Sequence, residues 1–233
     1  MAHRGDSRHA PENSLEAVRR AVTAGAHMVE VDAQLGAGGD LLVFHDRDAR
    51  RLTGTPGDLE TMDPGLVREL RLRGSAESVP ALGELLDAVP PGFPVNVELK
   101  RYVASRRRIA DAILEQIADR PTILVSSFDW LLLRALAERA ARLPVAPLTD
   151  RDPGGVLAAA DTLGAWSVHV HRRVVDDALI AAARRAGRPV LVYTVDDGVA
   201  ARRLFGQGVS GVFANDPGRL LRALGERGAG GEP

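Results

Sequence analysis

The stretch MVEVDAQLGAGGDLLVFH, residues 28–45, contains two strand-like runs joined by the short glycine-rich segment Gly36–Asp40. Parallel strands that lie side by side need a crossover of roughly a dozen residues or more. A short connection rich in glycine instead suits an antiparallel hairpin. The stretch therefore predicts a hairpin formed by the strands Met28–Leu35 and Leu41–His45.

The turn of this hairpin also predicts its register. If the turn is centred on Gly38, the residue numbers of opposed positions sum to about 76. His45 then lies beside Val31, within reach of Glu30 and Asp32. The hairpin therefore brings a histidine next to two carboxylates.

Similar strand-like runs alternate with amphipathic segments along the rest of the chain, which favours a mainly parallel sheet with helices outside it. The other predicted strands are Ala2–Arg4, Val95–Leu99, Thr122–Ser126, Val145–Leu148, Ser167–His171, Val190–Thr194 and Gly211–Ala214. The predicted helices include Asn13–Ala24, Ser105–Ala118, Trp130–Ala141 and Asp176–Ala186. Asn13 and Glu16 have the spacing of a capping box. With Leu41–His45 set aside as a hairpin arm, eight strands remain, the number that closes a (β/α)8 TIM barrel.

The sequence predicts a single α/β domain over residues 1–224, a TIM barrel with the hairpin after its second strand. Residues 47–82 are the longest part without clear strands, and they include a predicted helix around Pro64–Leu72. We interpret them as a small insertion over the C-terminal face of the barrel. Residues 225–233 are rich in glycine and polar, and we expect them to be disordered.

The composition excludes several classes of protein. A formal net charge of −1 gives no general attraction to nucleic acid or to anionic membranes. The chain has no cysteine, which excludes disulfides and thiolate zinc sites. No apolar run approaches the roughly 20 residues that span a bilayer, and the N-terminus lacks the zones of a signal peptide, so the expected location is the cytoplasm.

Two predicted strands carry polar residues on one face. Because strand side chains alternate, Glu30 and Asp32 point one way and the valines between them the other. The run VNVELK, residues 95–100, places Asn96, Glu98 and Lys100 on one face in the same manner. A single Glu-x-Asp pair more often belongs to a structural ion network. Two strands with the same pattern instead indicate a functional cluster inside the barrel, where buried carboxylates need a compensating partner.

The predicted rim of the barrel adds cations and a second histidine. His3-Arg4-Gly5 occupies the C-terminal end of the first strand, where the active sites of such barrels lie. A lone histidine is more often structural, but one beside inward carboxylates, such as His45, is a candidate for proton transfer. Lys100 is the only lysine of the chain.

The charges of these candidates suit a metal and a phosphate. The three carboxylates supply −3, and Arg4 and Lys100 supply +2, so a divalent cation brings the total to +1. That total matches a phosphodiester monoanion. A set of oxygen ligands favours Ca²⁺ or Mg²⁺ over zinc.

In their order, these motifs resemble those of the glycerophosphodiester phosphodiesterase family. Each motif is weak alone, but the ordered set is specific, and it covers the chain from residue 3 to about residue 217. The matching motifs are His3-Arg4-Gly5, Pro11-Glu12-Asn13-Ser14, Glu30-Val31-Asp32, Val43-Phe44-His45-Asp46, Glu98-Leu99-Lys100, Ser126-Ser127-Phe128, Tyr193-Thr194-Val195-Asp196 and Asn215-Asp216-Pro217.

The resemblance implies a TIM barrel that hydrolyses glycerophosphodiesters to an alcohol and sn-glycerol 3-phosphate with a divalent cation, Ca²⁺ or Mg²⁺. The implied roles are metal binding for Glu30, Asp32 and Glu98, acid/base catalysis for His3 and His45, phosphate binding for Arg4 and Lys100, and pocket lining for Glu12, Phe128 and Tyr193. The expected partner is a small-molecule phosphodiester, with no nucleic acid and no stable membrane insertion. The oligomeric state stays open.

The chain departs from the family pattern at three positions, and its motifs also allow two other interpretations. Members usually have Trp where Tyr193 stands, which could alter substrate choice, and Thr where Ser14 and Gly36 stand. One alternative is a phospholipase D-like lyase acting on lysophospholipids, although those relatives are typically secreted and disulfide-bonded. The other is a non-catalytic metal- or phosphate-binding barrel, which would need the charges but not a pair of histidines. His169 and His171 are interpreted as structural.

Overall fold

The computed structural model of the protein describes residues 1–120 and 122–225. Short strands alternate with helices along nearly all of this length. The strands are β1 (Ala2–His3), β2 (Val29–Leu35), β3 (Leu41–Val43), β4 (Val95–Leu99), β5 (Ile123–Ser127), β6 (Val145–Thr149), β7 (Val168–His171), β8 (Val190–Tyr193) and β9 (Gly211–Val212). The helices are α1 (Leu15–Thr23), α2 (Arg50–Thr53), α3 (Pro64–Glu69), α4 (Leu82–Asp87), α5 (Arg106–Ile117), α6 (Trp130–Ala137), α7 (Pro153–Leu163), α8 (Asp177–Arg185), α9 (Gly198–Gln207) and α10 (Pro217–Leu224).

The strands form one curled sheet in the order β1-β2-β4-β5-β6-β7-β8-β9, in which neighbouring strands are parallel. A parallel bridge between Ala2 and Ala214 joins the last strand region to β1. The sheet is therefore the predicted α/β TIM barrel. β3 lies beside this ring and pairs antiparallel with β2, with Leu35 opposite Leu41.

The two faces of each barrel strand have different environments. Val29 and Val31 are fully buried and belong to the main hydrophobic cluster, together with Ile109 of α5. Because side chains alternate along a strand, Glu30 and Asp32 lie on the opposite face, toward the interior of the barrel. The apolar residues thus hold the helices on the sheet while the polar residues meet inside it.

The rim at the C-terminal ends of the strands is set by local sequence. After β5, β6, β7, β8 and β9, the next helix begins at an aspartate whose side chain accepts a hydrogen bond from a backbone N–H of the first turn. This arrangement satisfies an N–H group that the helix itself leaves without a partner. The aspartates are Asp129, Asp152, Asp176, Asp197 and Asp216.

The start of α1 differs from the sequence prediction. A capping box of Asn13 and Glu16 was wrong, because Ser14 is the N-cap residue and its hydroxyl accepts a hydrogen bond from the N–H of Ala17. Asn13 has a left-handed φ of 63° and turns its side chain to Asp32 instead. The observed strands otherwise end within two residues of the predicted ends.

Residues 47–82 contain α2 and α3 and a hydrophobic cluster of their own. Leu59 is fully buried in this cluster and packs with Phe44, the residue before His45. α3 ends at Glu69, three residues before the predicted end, because Leu70 is extended with ψ 135°. The segment therefore packs on the hairpin side of the barrel.

The predicted disordered tail, residues 225–233, falls outside the described residues from residue 226 onward. Within residues 1–120 and 122–225, every helix is too short or too polar to cross a membrane.

Candidate active site

Three carboxylates meet in the barrel interior where β2 and β4 lie side by side. Glu30, Asp32 and Glu98 each offer one oxygen, and these oxygens all lie within 4.8 Å of one another. All three residues are buried, and Glu30 Oε1 has no hydrogen-bond partner among the described residues. Closely spaced carboxylate oxygens with one atom left unpartnered suit a hard divalent cation.

Asp32 is the centre of a network of ion pairs and hydrogen bonds. Asn13 Nδ2 donates to Asp32 Oδ2 over 3.0 Å, and Asn13 Oδ1 accepts from the backbone N–H of Asp32 over 3.1 Å. Arg4 Nε lies 3.0 Å from Asp32 Oδ2, and Lys100 Nζ lies 3.0 Å from Asp32 Oδ1. Lys100 also pairs with Glu98. The cluster thus has one cation on each side.

The turn after β1 holds Arg4 in place. Arg4 adopts a left-handed φ of 57°, and its backbone N–H donates to Glu30 Oε2 over 2.9 Å. Gly5 follows with a φ of 80°, and a Cβ atom at this position would come within 2.6 Å of the carbonyl carbon of Ala17. Only glycine fits so close to α1 in that conformation. The His3-Arg4-Gly5 motif is therefore a turn that aims a backbone N–H and a guanidinium at the carboxylates.

The carboxylates ionise to different extents. Burial, reinforced by the negative charges of Asp32 and Glu98, raises the pKa of Glu30 well above its ordinary value. Burial also raises the pKa of Glu98, although Lys100 opposes this effect. At Asp32 burial is outweighed by Lys100 and Arg4, which lower its pKa. The raised pKa values indicate a cluster short of positive charge, which a divalent cation would supply.

His3 lies at the end of β1 with its Nδ1 2.8 Å from Asn215 Oδ1. Asn215 Nδ2 donates to Asp196 Oδ2 over 2.7 Å, which leaves its amide oxygen for His3. Because an amide oxygen only accepts, His3 carries a proton on Nδ1 and keeps the lone pair on Nε2 in its neutral form. Burial, followed by the positive charge of Arg4, lowers the pKa of His3. His3 is therefore neutral at neutral pH.

His45 follows β3 and is held by contacts from its own loop, from α2, from β2 and from the loop after β4. Its Nδ1 lies 2.7 Å from Asp46 Oδ1, and Arg51 Nε lies 2.5 Å from the other oxygen of that carboxylate. The hydroxyl of Tyr102 donates to the carbonyl of His45 over 2.5 Å. Gln34 Nε2 donates to the carbonyl of Asp46 over 2.9 Å, which fixes the chain just after the histidine. The ring is partly exposed, at 32%.

Glu12 links the turn that follows His3 to helix α2, whose Arg51 pairs with Asp46 next to His45. It pairs with Arg4 over 2.8 Å and with Arg51 of α2 over 2.7 and 3.0 Å. Burial is outweighed by these two arginines, which lower the pKa of Glu12. Both oxygens of the Glu12 carboxylate therefore accept hydrogen bonds from arginines and orient them.

The aromatic rings of Phe128 and Tyr193 contact each other next to Lys100. Their ring centres are 6.3 Å apart, and Lys100 Nζ lies 5.8 Å from the centre of the Phe128 ring. The hydroxyl of Tyr193 donates to the carbonyl of Thr149 over 2.8 Å, and burial raises its pKa. The hydroxyl of Tyr193 is therefore occupied by Thr149, and its ring contacts that of Phe128.

The remaining barrel histidines are engaged elsewhere. His169 is fully buried, its Nε2 lies 3.0 Å from Ser167 Oγ, and burial lowers its pKa to about 3. His171 Nδ1 accepts the backbone N–H of Arg173 over 3.1 Å. Across the described residues, neither has a hydrogen bond or ion pair to the carboxylate cluster.

Another group of possible metal ligands, Asp6, His9 and Asp216, also has oxygens and nitrogens within 4.8 Å of one another. Its members already have partners, since His9 Nδ1 lies 2.8 Å from Asp6 Oδ1 and Asp216 caps α10. The arginine that pairs with Asp6 is Arg20, over 3.5 Å, whereas Arg4 and Lys100 pair with Asp32 of the first cluster.

Several residues that organise the site had no role in the site assigned from the sequence. Asn13, Asp46 and Asn215 stand inside recognised motifs, and each is polar, which was the available signal. Glu60 and Tyr102 offered no such signal. Their contact joins positions 42 residues apart and exists only because the chain folds back on itself.

The chain is similar to several phosphodiesterases along nearly its whole length. The model of the glycerophosphoryl diester phosphodiesterase family matches residues 3–219. The glycerophosphodiester phosphodiesterase of Caldanaerobacter subterraneus is 27% identical, over 96% of each chain. The Oleispira antarctica phosphodiesterase, solved in complex with the product sn-glycerol-3-phosphate, has a TM-score of 0.90 and 26% identity over 97% of this chain and 96% of that chain. A putative glycerophosphoryl diester phosphodiesterase from Silicibacter pomeroyi has a TM-score of 0.86 and 25% identity over 97% and 93%.

Proposed function

Because the chain belongs to the glycerophosphoryl diester phosphodiesterase family, we propose that it hydrolyses glycerophosphodiesters to sn-glycerol 3-phosphate and an alcohol. The observation that carries the proposal is the group of three buried carboxylates with Arg4 on one side and Lys100 on the other. The related Oleispira antarctica enzyme holds sn-glycerol-3-phosphate, the product that this reaction releases.

We assign the binding of a divalent cation, Ca²⁺ or Mg²⁺, to Glu30, Asp32 and Glu98. The support is the spacing of their oxygens within 4.8 Å and the unpartnered Oε1 of Glu30 among the described residues. When bound, such a cation polarises phosphoryl oxygens and stabilises the negative charge of the transition state.

We assign Arg4 and Lys100 to the phosphate group, because both are cations on the rim of the carboxylate cluster with small exposed fractions of 17% and 11%. Positive groups that are already in position stabilise charge that develops during the reaction. His3 and His45 then share the proton transfers. One imidazole accepts the proton of the nucleophile, and the other donates a proton to the leaving alkoxide.

Glu12 takes the role of a positioning residue, because it orients Arg4 and Arg51. We propose that Phe128 and Tyr193 line the substrate pocket. We also propose that residues 47–82 form part of the pocket rim, since Arg51 of this segment pairs with Asp46 next to His45.

Hydrolysis of glycerophosphoglycerol by the purified protein tests the function, with sn-glycerol 3-phosphate detected by a coupled dehydrogenase assay. We expect product with Ca²⁺ or Mg²⁺ and none with EDTA. Glu30→Gln should abolish the product. Asp216→Asn is the matched control, because it alters the other carboxylate group and keeps a residue that caps helices well. No product with any cation, from folded protein that binds the cation in calorimetry, would overturn the proposed reaction.

A further inference from the structure

A cavity of about 650 Å³ opens beside the carboxylate cluster, between the loops that follow β4 and β5. Glu98 and Lys100 belong both to this cavity and to the cluster. Phe128 and Leu131 give it apolar surface and are 45% and 58% exposed. A phosphate group bound between the proposed metal ligands and Lys100 has this cavity next to it.

The charges that line the cavity do not balance. Lys100, Arg101 and Arg106 are cationic, whereas Glu98 and Asp129 are the carboxylates. The lining therefore carries +1 before any metal is considered. A bound divalent cation makes the potential in the cavity more positive.

Neither carboxylate is free to receive a cationic ligand. Glu98 pairs with Lys100 and belongs to the proposed metal ligands. Arg106 Nε lies 2.8 and 2.9 Å from the two oxygens of Asp129, and Arg101 Nε pairs with the same carboxylate. Burial is outweighed by Arg106 and Arg101, which lower the pKa of Asp129 and keep it ionised.

The two arginines, in contrast, keep hydrogen-bond donors available. A guanidinium has five N–H groups. Within residues 1–120 and 122–225, the hydrogen bonds of Arg101 and Arg106 side chains come from Nε alone. Their side chains are 32% and 39% exposed. Their terminal nitrogens therefore suit hydroxyl, carboxylate or phosphate oxygens.

The aromatic surface of the cavity does not attract cationic ligands strongly enough to offset the positive charge of its lining. The face of an aromatic ring attracts quaternary ammonium groups. Lys100 Nζ already lies 5.8 Å from the centre of the Phe128 ring. A second cation at that ring would meet the charge of Lys100.

We propose that this cavity receives the alcohol part of the substrate and selects glycerophosphodiesters of neutral or anionic alcohols over those of cationic alcohols such as choline and ethanolamine. This specificity rests on the proposed function. Arg101 and Arg106 are its determinants, because they neutralise Asp129 and retain donors that have no hydrogen-bond partner among the described residues.

The test compares three glycerophosphodiesters of similar size in one assay. Their alcohols are choline, the uncharged isostere 3,3-dimethylbutanol, and an alcohol of the same length that ends in a carboxylate. At low ionic strength we expect kcat/KM for the choline ester to be about fivefold below that of the isostere, the effect of roughly one screened charge. The carboxylate ester should exceed the isostere, and added salt should bring all three values together.

Arg106→Gln and Arg101→Gln should each bring the choline ester and the isostere closer together. Arg107→Gln is the matched control, since this neighbour on α5 is 90% exposed and stands outside the cavity lining, so its variant should keep the wild-type ratio. Equal turnover of the three esters, or a preference for choline, would overturn the specificity and leave the hydrolase function intact. Absence of turnover with all three would overturn the proposed function, and the specificity with it.

Discussion

At the scale of single residues, the two proposed catalytic imidazoles have unlike partners. His3 Nδ1 faces the amide oxygen of Asn215, and His45 Nδ1 faces the carboxylate of Asp46. We expect His3→Ala and His45→Ala each to lower kcat for glycerophosphoglycerol by about 10²- to 10⁴-fold, because proton transfer contributes that much.

The measurement is initial rate with saturating substrate and cation. His9→Gln provides the control, because His9 lies in the loop that follows His3 but is 46% exposed and pairs with Asp6. A kcat close to wild type in both alanine variants would remove the histidines from the mechanism.

We expect His169 to make the stability of the barrel depend on pH. Burial lowers its pKa from 6.5 to about 3 in the folded protein. Between these pH values the unfolded chain binds a proton that the folded protein does not, so the free energy of unfolding falls as the pH falls below about 6.5. This effect of His169 lowers the free energy of unfolding by at most about 1.4 kcal/mol for each pH unit of acidification. The loss is absent above pH 6.5.

Chemical denaturation at pH 7, 6 and 5 measures this effect. His169→Gln cannot titrate in this range, so its unfolding free energy should depend less steeply on pH than that of the wild type. Parallel pH profiles for the two proteins would show that His169 does not contribute.

At the scale of elements, one buried carboxylate joins the segment 47–82 to the loop after β4. Glu60 is 8% exposed and accepts the backbone N–H groups of Tyr102, Val103 and Ala104. Tyr102 in turn donates to the carbonyl of His45. This carboxylate therefore holds the loop that follows Lys100.

Glu60→Gln should destabilise the protein by about 1–3 kcal/mol, because a neutral amide with one acceptor oxygen cannot satisfy three buried donors. We expect faster amide hydrogen exchange confined to residues 101–105. The exposed Glu69 of α3 gives the control, and Glu69→Gln should leave exchange in that loop unchanged. Unaltered exchange in Glu60→Gln would mean that other contacts hold the loop.

At the scale of the whole molecule, we expect metal binding and folding stability to be coupled through the carboxylate cluster. Its members come from β2 and β4, so the site exists only in the folded barrel. A ligand that binds only the folded state adds about 2.7 kcal/mol at a concentration one hundred times its Kd. We expect this increase in unfolding free energy with Ca²⁺ or Mg²⁺ over EDTA.

The increase should vanish in Glu30→Gln, whose stability in EDTA should be no lower than wild type because a buried acid with a raised pKa has been replaced by its neutral counterpart. Asp216→Asn should retain the increase. An undiminished increase in Glu30→Gln would place the metal elsewhere.

Much of the architecture could be predicted from the chain alone, for a local reason. Alternation of polar and apolar side chains repeats every two residues, so VEVD at 29–32 and VNVELK at 95–100 already separate the helix-facing residues from the interior ones. The aspartates that begin five helices act within their own first turn. The barrel and the three carboxylates followed from such short-range patterns.

The partners of those residues depended on how the barrel closes. His3 contacts Asn215, which is 212 positions away in the sequence. Asn13 does not cap α1 as expected but donates a hydrogen bond to Asp32, which is 19 positions away. The proposed charge preference of the cavity depends on Arg101 of the loop after β4 and Arg106 of α5, which both pair with Asp129. The alternation of side chains along a strand depends on residues that are neighbours in the sequence. The pairing of a charged side chain depends instead on which groups the tertiary fold brings within about 3 Å of it.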